Sequence, residues 1–441
     1  MRILLVGAFA YPHEQGSQIY FQEQAIALRA AGAEIHLQSY GPAAARSPGP
    51  AREDVDRWRA LDGFPHTTLP AWAAPSSRRS GPHPGKPFAD LCLAVTLRRT
   101  LRGRGLEPAS TASFSSLRRG VSPFDVILAH HAEAALLALH TLPKSRPPVL
   151  YCAHTLLEQE LPEYFKPSRV TADPTSMRQR ALASLGRVID QRIARQADGW
   201  LALTRSSARV ISAASERPGR RIAPPIADPE LDPERPDAEA VARFHGLVPG
   251  GFFLYSGNLD PYQDLPLLER VARERRPRES ARRGVAGPRD ARLPIVIATH
   301  DERASELATR AAGSGESRLC VRRLHSTGEA QALVAAARAS IVPRRSLGGF
   351  PIKLANSLAA GTPVVAFHGE EWGLEDGRDC LLGVLDAPVT SIARALDRLE
   401  DDPALAARLG VGARATYLAH HRPDRVAAET LALVETLLSR R

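Results

Sequence analysis

The sequence of 441 residues has few cysteines, and their spacing fits neither a metal cluster nor a disulfide framework. No two of the four cysteines form a Cys-x-x-Cys pair, and long stretches separate them. Zinc clusters and small secreted domains depend on closer and more regular spacing. We therefore expect the protein to lie in a reducing compartment, the cytoplasm. The four cysteines are Cys92, Cys152, Cys320 and Cys380.

Long apolar runs are also missing. No stretch approaches the roughly 18 apolar residues that a transmembrane helix requires. The apolar start at residues 3–6 is followed by small residues, as in a signal peptide, but its apolar core is too short. We therefore expect neither a signal peptide nor a membrane-spanning helix.

Several binding motifs are absent as well. The sequence contains neither Gly-x-x-x-x-Gly-Lys-Ser/Thr nor Gly-x-Gly-x-x-Gly, which argues against an ATPase and a nicotinamide-dependent enzyme. Aromatic residues make up only 5% of the chain and are not interleaved with basic ones, so we expect no nucleic-acid partner. Asp54-Val55-Asp56 matches a cation-binding Asp-x-Asp pattern, but no apolar strand precedes it, and we expect no metal.

Lysine is scarce, and the net charge of +10 comes almost wholly from arginine. Two explanations stay open: a composition bias of the genome, and attraction to an anionic membrane surface. The second explanation depends on arginines that follow an apolar helix predicted at residues 88–97. Peripheral contact with the inner face of a membrane is thus a hypothesis based on Arg98, Arg99, Arg102 and Arg104.

The chain is longer than one hydrophobic core usually spans, so two domains are expected. In each half, predicted strands alternate with predicted helices, which is typical of a doubly wound α/β sheet. A proline-rich stretch separates the halves. We predict an N-terminal domain at 1–214 with irregular insertions at about 43–79 and 103–122, a linker at 215–237, a C-terminal domain at 238–420 and a closing segment at 421–441.

Residues just past the predicted strands are the first functional candidates, because ligands of doubly wound sheets bind outside the carboxyl ends of the strands. His130 and His131 follow a strand predicted at 124–129, and His154 follows one predicted at 148–153. A metal is not favoured, because no third ligand has a recognisable spacing. A purely structural role is the alternative for each of these histidines.

Two further candidates lie in the N-terminal half. Gly16 and Ser17 precede a helix predicted at 18–31, where either their amides bind a phosphate or the serine caps the helix. Lys86 is an isolated lysine after a Ser-Gly-Pro turn. It is either a phosphate contact or a solvated loop residue.

The segment from Ala339 to Phe367 predicts a strand, a glycine loop, a short helix and a second strand. Pro351 suits the first helical position and Gly361 ends the helix, so Lys353 lies in the first turn. A cation there opposes the helix dipole by roughly 0.3 to 1 kcal/mol, whereas a bound anion would reverse the sign. The alternative is a solvated lysine whose stem covers apolar surface. The pattern favours a phosphate or diphosphate site, to which four neighbours would contribute: Arg344, Arg345, Gly348 and Gly349.

This segment resembles the donor-binding segment of retaining, two-domain glycosyltransferases of the family-four type, in which a Gly-Phe-Pro-x-Lys helix start holds the diphosphate of a nucleotide sugar. The resemblance extends to the strand and loop at residues 252–259 and covers most of the chain. It implies two Rossmann-like α/β domains facing each other across a cleft, the GT-B fold. It also implies a closing helix, at residues 425–438, that packs back on the N-terminal domain.

The resemblance implies a role for each candidate residue. A lysine, an arginine and the helix N-terminus would stabilise charge on the leaving nucleotide diphosphate, and a histidine would lie beside the anomeric carbon. No cofactor is implied, and the partners are a nucleotide-sugar donor and a carbohydrate or lipid-linked acceptor. The catalytic residues would be His154, Lys353 and Arg344; the donor-binding residues Gly16, Ser17, Gly257, Asn258, Gly348, Gly349, Phe350 and Asn356; and the acceptor-binding residues His130 and Lys86.

Four positions depart from the family pattern, because neutral residues stand where many members carry charged ones. Gly348 and Asn356 replace a glutamate pair, and Asn258 and Gln263 replace an arginine and a lysine. We infer that the remaining lysine and arginine neutralise the diphosphate. We also infer that Asn356 replaces a carboxylate that would bind ribose.

The leading hypothesis is a glycosyltransferase that moves a sugar, with retention, to a hydroxyl acceptor in polysaccharide, glycolipid or glycoconjugate biosynthesis. The neutral replacements motivate a second hypothesis, a catalytically silent scaffold that partners an active transferase. A nucleotide-sugar epimerase with the same architecture is the third. The sugar, the nucleoside base, the acceptor and the oligomeric state stay open.

Overall fold

The computed structural model describes residues 1–12, 15–42, 63–74, 85–103, 122–164, 177–232, 235–275, 292–313 and 318–440. Contacts within the chain define two compact units. The first unit consists of Met1–Pro225, Gly348–Phe350 and Pro423–Arg441. The second unit consists of Ile226–Leu347 and Pro351–Arg422.

The described part of the first unit contains a sheet of seven strands. These strands are β1 (Arg2–Gly7), β2 (Glu34–Gln38), β3 (His66–Thr67), β4 (Val126–His130), β5 (Val149–Ala153), β6 (Gly199–Ala202) and β7 (Gly219–Arg221). Their order is β3-β2-β1-β4-β5-β6-β7, and all neighbours are parallel. Strands β4 and β5 are buried along their whole length, as expected for a parallel sheet covered by helices on both faces.

Helices follow the strands of the first sheet. They are α1 (Gly16–Ala30), α2 (Lys86–Thr100), α3 (His131–Thr141), α4 (Leu157–Tyr164), α5 (Met177–Gln196) and α6 (Arg205–Ala214). Leucine and alanine side chains of α2 and α3 pack with the central strands in one apolar core. Burial of this core supplies the main favourable free energy of the unit.

The described part of the second unit repeats this design with six strands. They are β8 (Phe253–Ser256), β9 (Ile295–Thr299), β10 (Leu319–Arg323), β11 (Ala339–Val342), β12 (Val364–Ala366) and β13 (Cys380–Leu382). Their order is β10-β9-β8-β11-β12-β13, again with parallel neighbours. The helices are α7 (Ala238–Phe244), α8 (Leu265–Glu274), α9 (Ala304–Gly313), α10 (Thr327–Ala336), α11 (Ile352–Ala359), α12 (Gly369–Trp372), α13 (Pro388–Asp401) and α14 (Pro403–His420).

The last helix, α15 (Pro423–Leu438), belongs to the first unit, where it packs against α1. Its buried side chains include Val426, Val434 and Leu437. These recur at helical spacing, so one face of α15 is apolar. The first unit is therefore built from both ends of the chain.

Both sheets reverse their winding at one place. Strand β1 separates β2 from β4 in the first sheet, and β8 separates β9 from β11 in the second. In doubly wound sheets, ligands bind at the carboxyl ends of the strands beside such a switch point. The chain just after β4, β8 and β11 is therefore the place to look for function in each unit.

The predicted fold class, two doubly wound α/β sheets, is confirmed. The strand predicted at 339–342 has those bounds, and other predicted strands and helices shift by one or a few residues. Strand β7 lies within the stretch predicted as a linker, 215–237, and the two units divide after Pro225. A three-residue edge strand with two arginines carries no apolar pattern that sequence reasoning could detect.

Two other predictions are corrected in the first unit. The insertion predicted as irregular at 43–79 contains β3, which pairs with β2. The helix predicted at 88–97 runs from Lys86 to Thr100. No helix in the described ranges is long and apolar enough to cross a membrane.

Candidate functional site

Lys353 lies at the switch point of the second sheet. It is the second residue of α11, and Pro351 is the N-cap rather than the first helical residue. The side chain extends over the ring of Tyr255 at the end of β8, with Nζ 4.0 Å from the ring centroid. Nζ also donates a hydrogen bond of 2.9 Å to Gln263 Oε1. The lysine is therefore not a solvated surface side chain, and it faces the loop that follows β8.

That loop is organised by the two neutral residues that replace an arginine and a lysine of the family pattern. Gln263 Nε2 donates to Asn258 Oδ1 at 3.0 Å, and Asn258 Nδ2 donates to Asp260 Oδ2 at 2.5 Å. The hydroxyl of Tyr255 donates to the Asn258 carbonyl oxygen at 2.5 Å. The amides thus form a chain of hydrogen bonds that ends on the Lys353 ammonium.

Positive charge is concentrated at this place. Arg344, just after β11, is buried, and its guanidinium carbon lies 5.9 Å from the ring centroid of Tyr262 and 5.8 Å from that of Trp372. Burial, and secondly the Arg344 guanidinium, holds the pKa of Lys353 well below its ordinary value, and the Asp260 carboxylate only partly opposes this. Two crowded cations at a helix N-terminus attract an anion.

The other predicted residues of this segment occupy different places. Arg345 is exposed, and its Nε donates to Asp264 Oδ2 at 2.5 Å. Asn356 lies one turn after Lys353 on α11 and therefore on the same face of that helix. The structure thus places Arg345 in an ion pair of its own, and leaves Asn356 as a neighbour of the lysine along the helix.

Gly348, Gly349 and Phe350 form a short loop that belongs to the first unit. A β-carbon at Gly349 would lie 2.2 Å from the carbonyl oxygen of His154. Such a distance is too short for any side chain, so glycine is required for this approach of two backbones. Phe350 is buried at the end of the loop.

A histidine cluster lies in the first unit where β4 and β5 end. His130 is the last residue of β4, and its Nδ1 lies 2.9 Å from His154 Nε2. The ring of His131 lies against that of His154 with 4.1 Å between the centroids. His131 has a φ of 70°, which costs a residue with a side chain about 1 kcal/mol. The two strand ends therefore bring together all three histidines that sequence reasoning singled out.

The cluster is uncharged at neutral pH. Burial lowers the pKa of His131 to about 4 and holds the pKa values of His130 and His154 well below the ordinary range. The side chain of His130 has no exposed surface, and its contact with an acceptor stays a prediction. His130 lies behind His154, whose side chain is 5% exposed.

Lys86 is the first residue of α2 and is not part of a loop. Its Nζ lies 3.2 Å from Glu133 Oε1 and donates to the Ala8 carbonyl oxygen at 3.0 Å. Glu133 lies in the first turn of α3, two residues after His131. A further carboxyl group, Glu160 on α4, has its pKa raised to about 7 by burial and secondly by Glu133. The role of Lys86 toward an acceptor stays a prediction.

The remaining candidates are placed as follows. Gly16 and Ser17 are the first two residues of α1, the N-cap is Gln15, and no side-chain capping hydrogen bond is found among the described residues. The predicted serine cap is therefore wrong, while the phosphate contact stays a prediction. Asp54-Val55-Asp56 lies outside the described residues. Within the described ranges, no group of three or more His, Cys, Asp or Glu side chains has the geometry of a metal site.

Sequence reasoning missed the residues that surround these candidates. Tyr255 and Tyr262 were not singled out, although both flank the loop that follows β8. Tyr20, whose ring centroid lies 4.7 Å from that of His154, was also missed. Of these three, only Tyr255 stood within three residues of a strand-end glycine, Gly257, and core residues show the same pattern.

The second unit matches the model of a known protein family. Residues 253–402 match the family model described as Glycosyl transferases group 1, which spans the second unit from β8 to the end of α13. No curated protein matches the sequence.

Solved structures with the same fold cover nearly the whole chain. Sucrose-phosphate synthase from Thermosynechococcus elongatus has a TM-score of 0.69 and 15% identity, with all of both chains covered. HepE of Anabaena in complex with UDP and glucose has a TM-score of 0.65 and 14% identity over 99% of this chain and 100% of that chain. WaaG, involved in lipopolysaccharide biosynthesis, has a TM-score of 0.59 and 13% identity over 96% and 98%. At these identities the similarity concerns the fold.

Proposed function

We propose that this chain, whose residues 253–402 match the group 1 glycosyltransferase model, transfers a sugar from a nucleoside-diphosphate donor to a hydroxyl acceptor with retention. Its fold, shared with solved structures such as WaaG, supports the proposal. The observation that carries this proposal is the Lys353 ammonium, which lies over Tyr255 beside the buried Arg344. Departure of the nucleotide places negative charge on the diphosphate. Both cations and the N-terminus of α11 would stabilise that charge as it forms.

A uridine diphosphate hexose is the donor that we propose to test first. HepE was solved with UDP and glucose, and this supports the choice of probe. Asn356, one turn after Lys353, would accept a hydrogen bond from ribose. Gly257 and Asn258 would line the diphosphate site, and the Gly348–Phe350 loop would contact the sugar.

The remaining residues would act on the sugar and the acceptor. His154 would lie beside the anomeric carbon as a neutral side chain, because burial keeps its pKa low. Gly16 and Ser17 would contribute the uncapped amides of α1. We propose a carbohydrate or lipid-linked acceptor, with Lys86 as one of its contacts, in the synthesis of a polysaccharide or glycoconjugate.

We propose that no metal and no other cofactor is needed. Lys353 and Arg344 supply positive charge where many transferases use a divalent ion. Turnover that survives exhaustive treatment with EDTA is the expected result. Loss of turnover that Mg²⁺ restores would contradict the proposal.

Replacement of Lys353 by methionine tests the central claim. The variant keeps the length of the side chain and removes the charge, so we expect turnover of UDP-glucose to fall on the order of 100-fold. Lys144→Met is the matched control, because this exposed lysine lies in the turn before β5, at the opposite end of that strand from His154. Unchanged turnover in Lys353→Met would refute the proposal.

A nucleotide titration and an analysis of the products separate the two alternative functions, the silent scaffold and the epimerase. A silent scaffold would bind no nucleotide in a calorimetric titration of the wild-type protein. A nucleotide-sugar epimerase would release a sugar isomer when no acceptor is present. Transfer that depends on an added acceptor would exclude both.

We further propose that α2 rests on an anionic lipid surface. Phe88, Leu91 and Val95 are exposed on one face of this helix, and the Trp72 ring lies 5.9 Å from the Phe88 ring. Arg98 and Arg99 are exposed near the end of the helix, and Arg102 is exposed just after it. Apolar contact together with positive charge is what binding to anionic headgroups requires.

Sedimentation with lipid vesicles tests whether the protein binds to an anionic membrane surface. We expect binding to vesicles that contain phosphatidylglycerol and none to pure phosphatidylcholine. Leu91→Asp should abolish binding, whereas Val411→Asp, at a similarly exposed position on α14, should leave it intact. A self-association that Leu91→Asp disrupts, without any vesicle binding, would show that a second copy covers this face instead.

A further inference from the structure

We infer that His130 is a positioning residue, which holds His154 in the neutral tautomer that carries its proton on Nδ1. The inference concerns a residue that the proposed function does not use. Its consequence for catalysis rests on the proposed function, but the tautomer itself does not. One short contact and one buried nitrogen lead to this assignment.

The contact is the hydrogen bond between the two rings. His130 Nδ1 and His154 Nε2 are 2.9 Å apart, which requires one proton between them. Two arrangements satisfy this bond. Either His130 Nδ1–H donates to a lone pair on His154 Nε2, or His154 Nε2–H donates to a lone pair on His130 Nδ1.

The buried nitrogen decides between them. His130 Nε2 is inaccessible to solvent and has no hydrogen-bond partner among the described residues. If His154 were the donor, a neutral His130 would carry its proton on Nε2, as a buried N–H group without an acceptor. Buried N–H groups without a partner are among the rarest features of folded proteins, because water satisfies them in the unfolded chain. His130 therefore carries its proton on Nδ1 and donates to His154 Nε2.

The tautomer of His154 follows from this. With Nε2 occupied as an acceptor, its single proton lies on Nδ1, which makes no hydrogen bond within the described residues. Burial lowers the pKa of both rings, which keeps each with one proton. His154 is thus prepared as a neutral donor for an oxygen of the sugar or of the leaving group.

Neighbouring rings keep the two imidazoles from turning over. The Phe21 ring lies edge-on to His130 with centroids 4.9 Å apart, and the Tyr20 ring lies edge-on to His154 at 4.7 Å. The His131 ring lies 4.1 Å from His154 on another side. In such close packing, a ring flip would require several side chains to move together.

Two substitutions of nearly equal shape test the inference. In His130→Asn, the side-chain amide can place an N–H group where Nδ1 was, whereas His130→Leu has the same branching and no donor. A long-range ¹H–¹⁵N correlation spectrum reports which ring nitrogen of His154 carries the proton. We expect Nδ1–H in the wild type and in His130→Asn, and a shift toward Nε2–H in His130→Leu.

Two spectral results would overturn the inference. One is a wild-type His154 with its proton on Nε2, which decides the matter even if a variant does not fold. The other is a folded His130→Leu in which His154 keeps its proton on Nδ1 to the same extent.

Kinetics then separate this inference from the proposed function. We expect kcat to fall on the order of tenfold or more in His130→Leu and to recover in His130→Asn, with little change in KM for the donor. If the tautomer of His154 shifts in His130→Leu while kcat is unchanged, the tautomer has no role in catalysis. Absence of turnover in the wild type would refute the proposed function, while the spectrum still decides the tautomer.

Discussion

At the scale of single residues, the molecule stabilises a cation in an unfavourable place. A lysine in the first turn of a helix opposes the helix dipole, and crowding by Arg344 adds to that cost. The Tyr255 ring and the Gln263 carbonyl oxygen compensate part of it through a cation–π contact and a hydrogen bond. The remaining excess of positive charge is what a diphosphate would neutralise.

Gly257 offers one test at this scale. Its φ is 151°, and a β-carbon there would lie 2.7 Å from Lys353 Nζ. We expect Gly257→Ala to displace the ammonium and to weaken binding of the nucleotide sugar on the order of tenfold. Gly246→Ala is the control, because its φ is 70° but nothing lies within 4 Å of the added carbon. Titration calorimetry measures both, and equal affinities in the two variants would contradict the expectation.

Protonation of Lys353 provides a second test. The pKa of the ligand-free ammonium is lowered, and a bound diphosphate would raise it, so binding should take up protons. Affinity should consequently fall as the pH rises between the two pKa values. Calorimetric titration with the nucleotide sugar in buffers of different ionisation enthalpy measures the uptake. Lys353→Arg should show none, because arginine stays charged, and an uptake equal to that of the wild type would exclude Lys353 as its source.

At the scale of elements, a buried cation joins two helices of the second unit. Arg275 follows α8 and is 1% exposed. Its Nε donates to Asp397 Oδ1 of α13 at 2.9 Å, it pairs with the buried Glu400, and Nη1 donates to the Leu293 carbonyl oxygen at 2.7 Å. Every nitrogen of the guanidinium is thus directed to an oxygen. Arg292 Nε lies 3.6 Å from Asp397 Oδ1, and Arg292 Nη1 lies 3.8 Å from Glu400 Oε1.

Substitution of Arg275 should lower the free energy of unfolding of the second unit. Arg275→Met leaves the Asp397 and Glu400 carboxylates with only the more distant Arg292 as a cation, and we expect the free energy of unfolding to fall by about 2 to 4 kcal/mol. Arg425→Met breaks an exposed pair with Glu429 one turn away, and should cost less than about 0.5 kcal/mol. Urea unfolding measures both values. A cost below about 1 kcal/mol in Arg275→Met would show that the cluster contributes little.

At the scale of the whole molecule, the two units should respond differently to acid. Five buried or half-buried histidines of the first unit have lowered pKa values: about 4 for His36, His66 and His131, and well below the ordinary value for His130 and His154. Their unfolded pKa is about 6.5, so the unfolded state binds more protons as the pH falls below that value. The histidines therefore contribute to the free energy of unfolding above pH 6.5, and this contribution is lost as the pH falls from 6.5 to 4.

Three carboxyl groups of the same unit act in the opposite direction. Burial raises the pKa of Asp90, of Glu160 to about 7 and of Asp190 to about 6, so the folded state binds their protons first. The histidines outnumber them, and we expect the first unit to lose about 1 to 3 kcal/mol of stability per pH unit below pH 6.5. Hydrogen exchange at pH 7, 6 and 5, corrected for the intrinsic rate, should show loss of protection in first-unit peptides before second-unit peptides. Simultaneous loss in both units would contradict this.

The elements that could be predicted were those whose apolar residues recur at the period of a strand or a helix. Strand β11, α11 and β12 combine apolar runs with proline and glycine boundaries, and they were found within one or two residues of their observed bounds. Strand β7 could not be predicted, since three residues at a sheet edge contain no repeat. Helix α4 was missed because Pro162 lies inside it, and proline is usually read as a break.

The sequence by itself determined that this chain forms two parallel α/β sheets and that Lys353 starts a helix after a glycine loop, because local periodicity and turn residues specify strands and helices. It did not determine that the ammonium turns onto Tyr255 and Gln263, or that His130 lies behind His154. Those contacts join residues that are far apart in sequence, and only the order of the strands in each sheet brings their ends together. Burial, which sets the protonation of these side chains, is likewise a property of the packed structure.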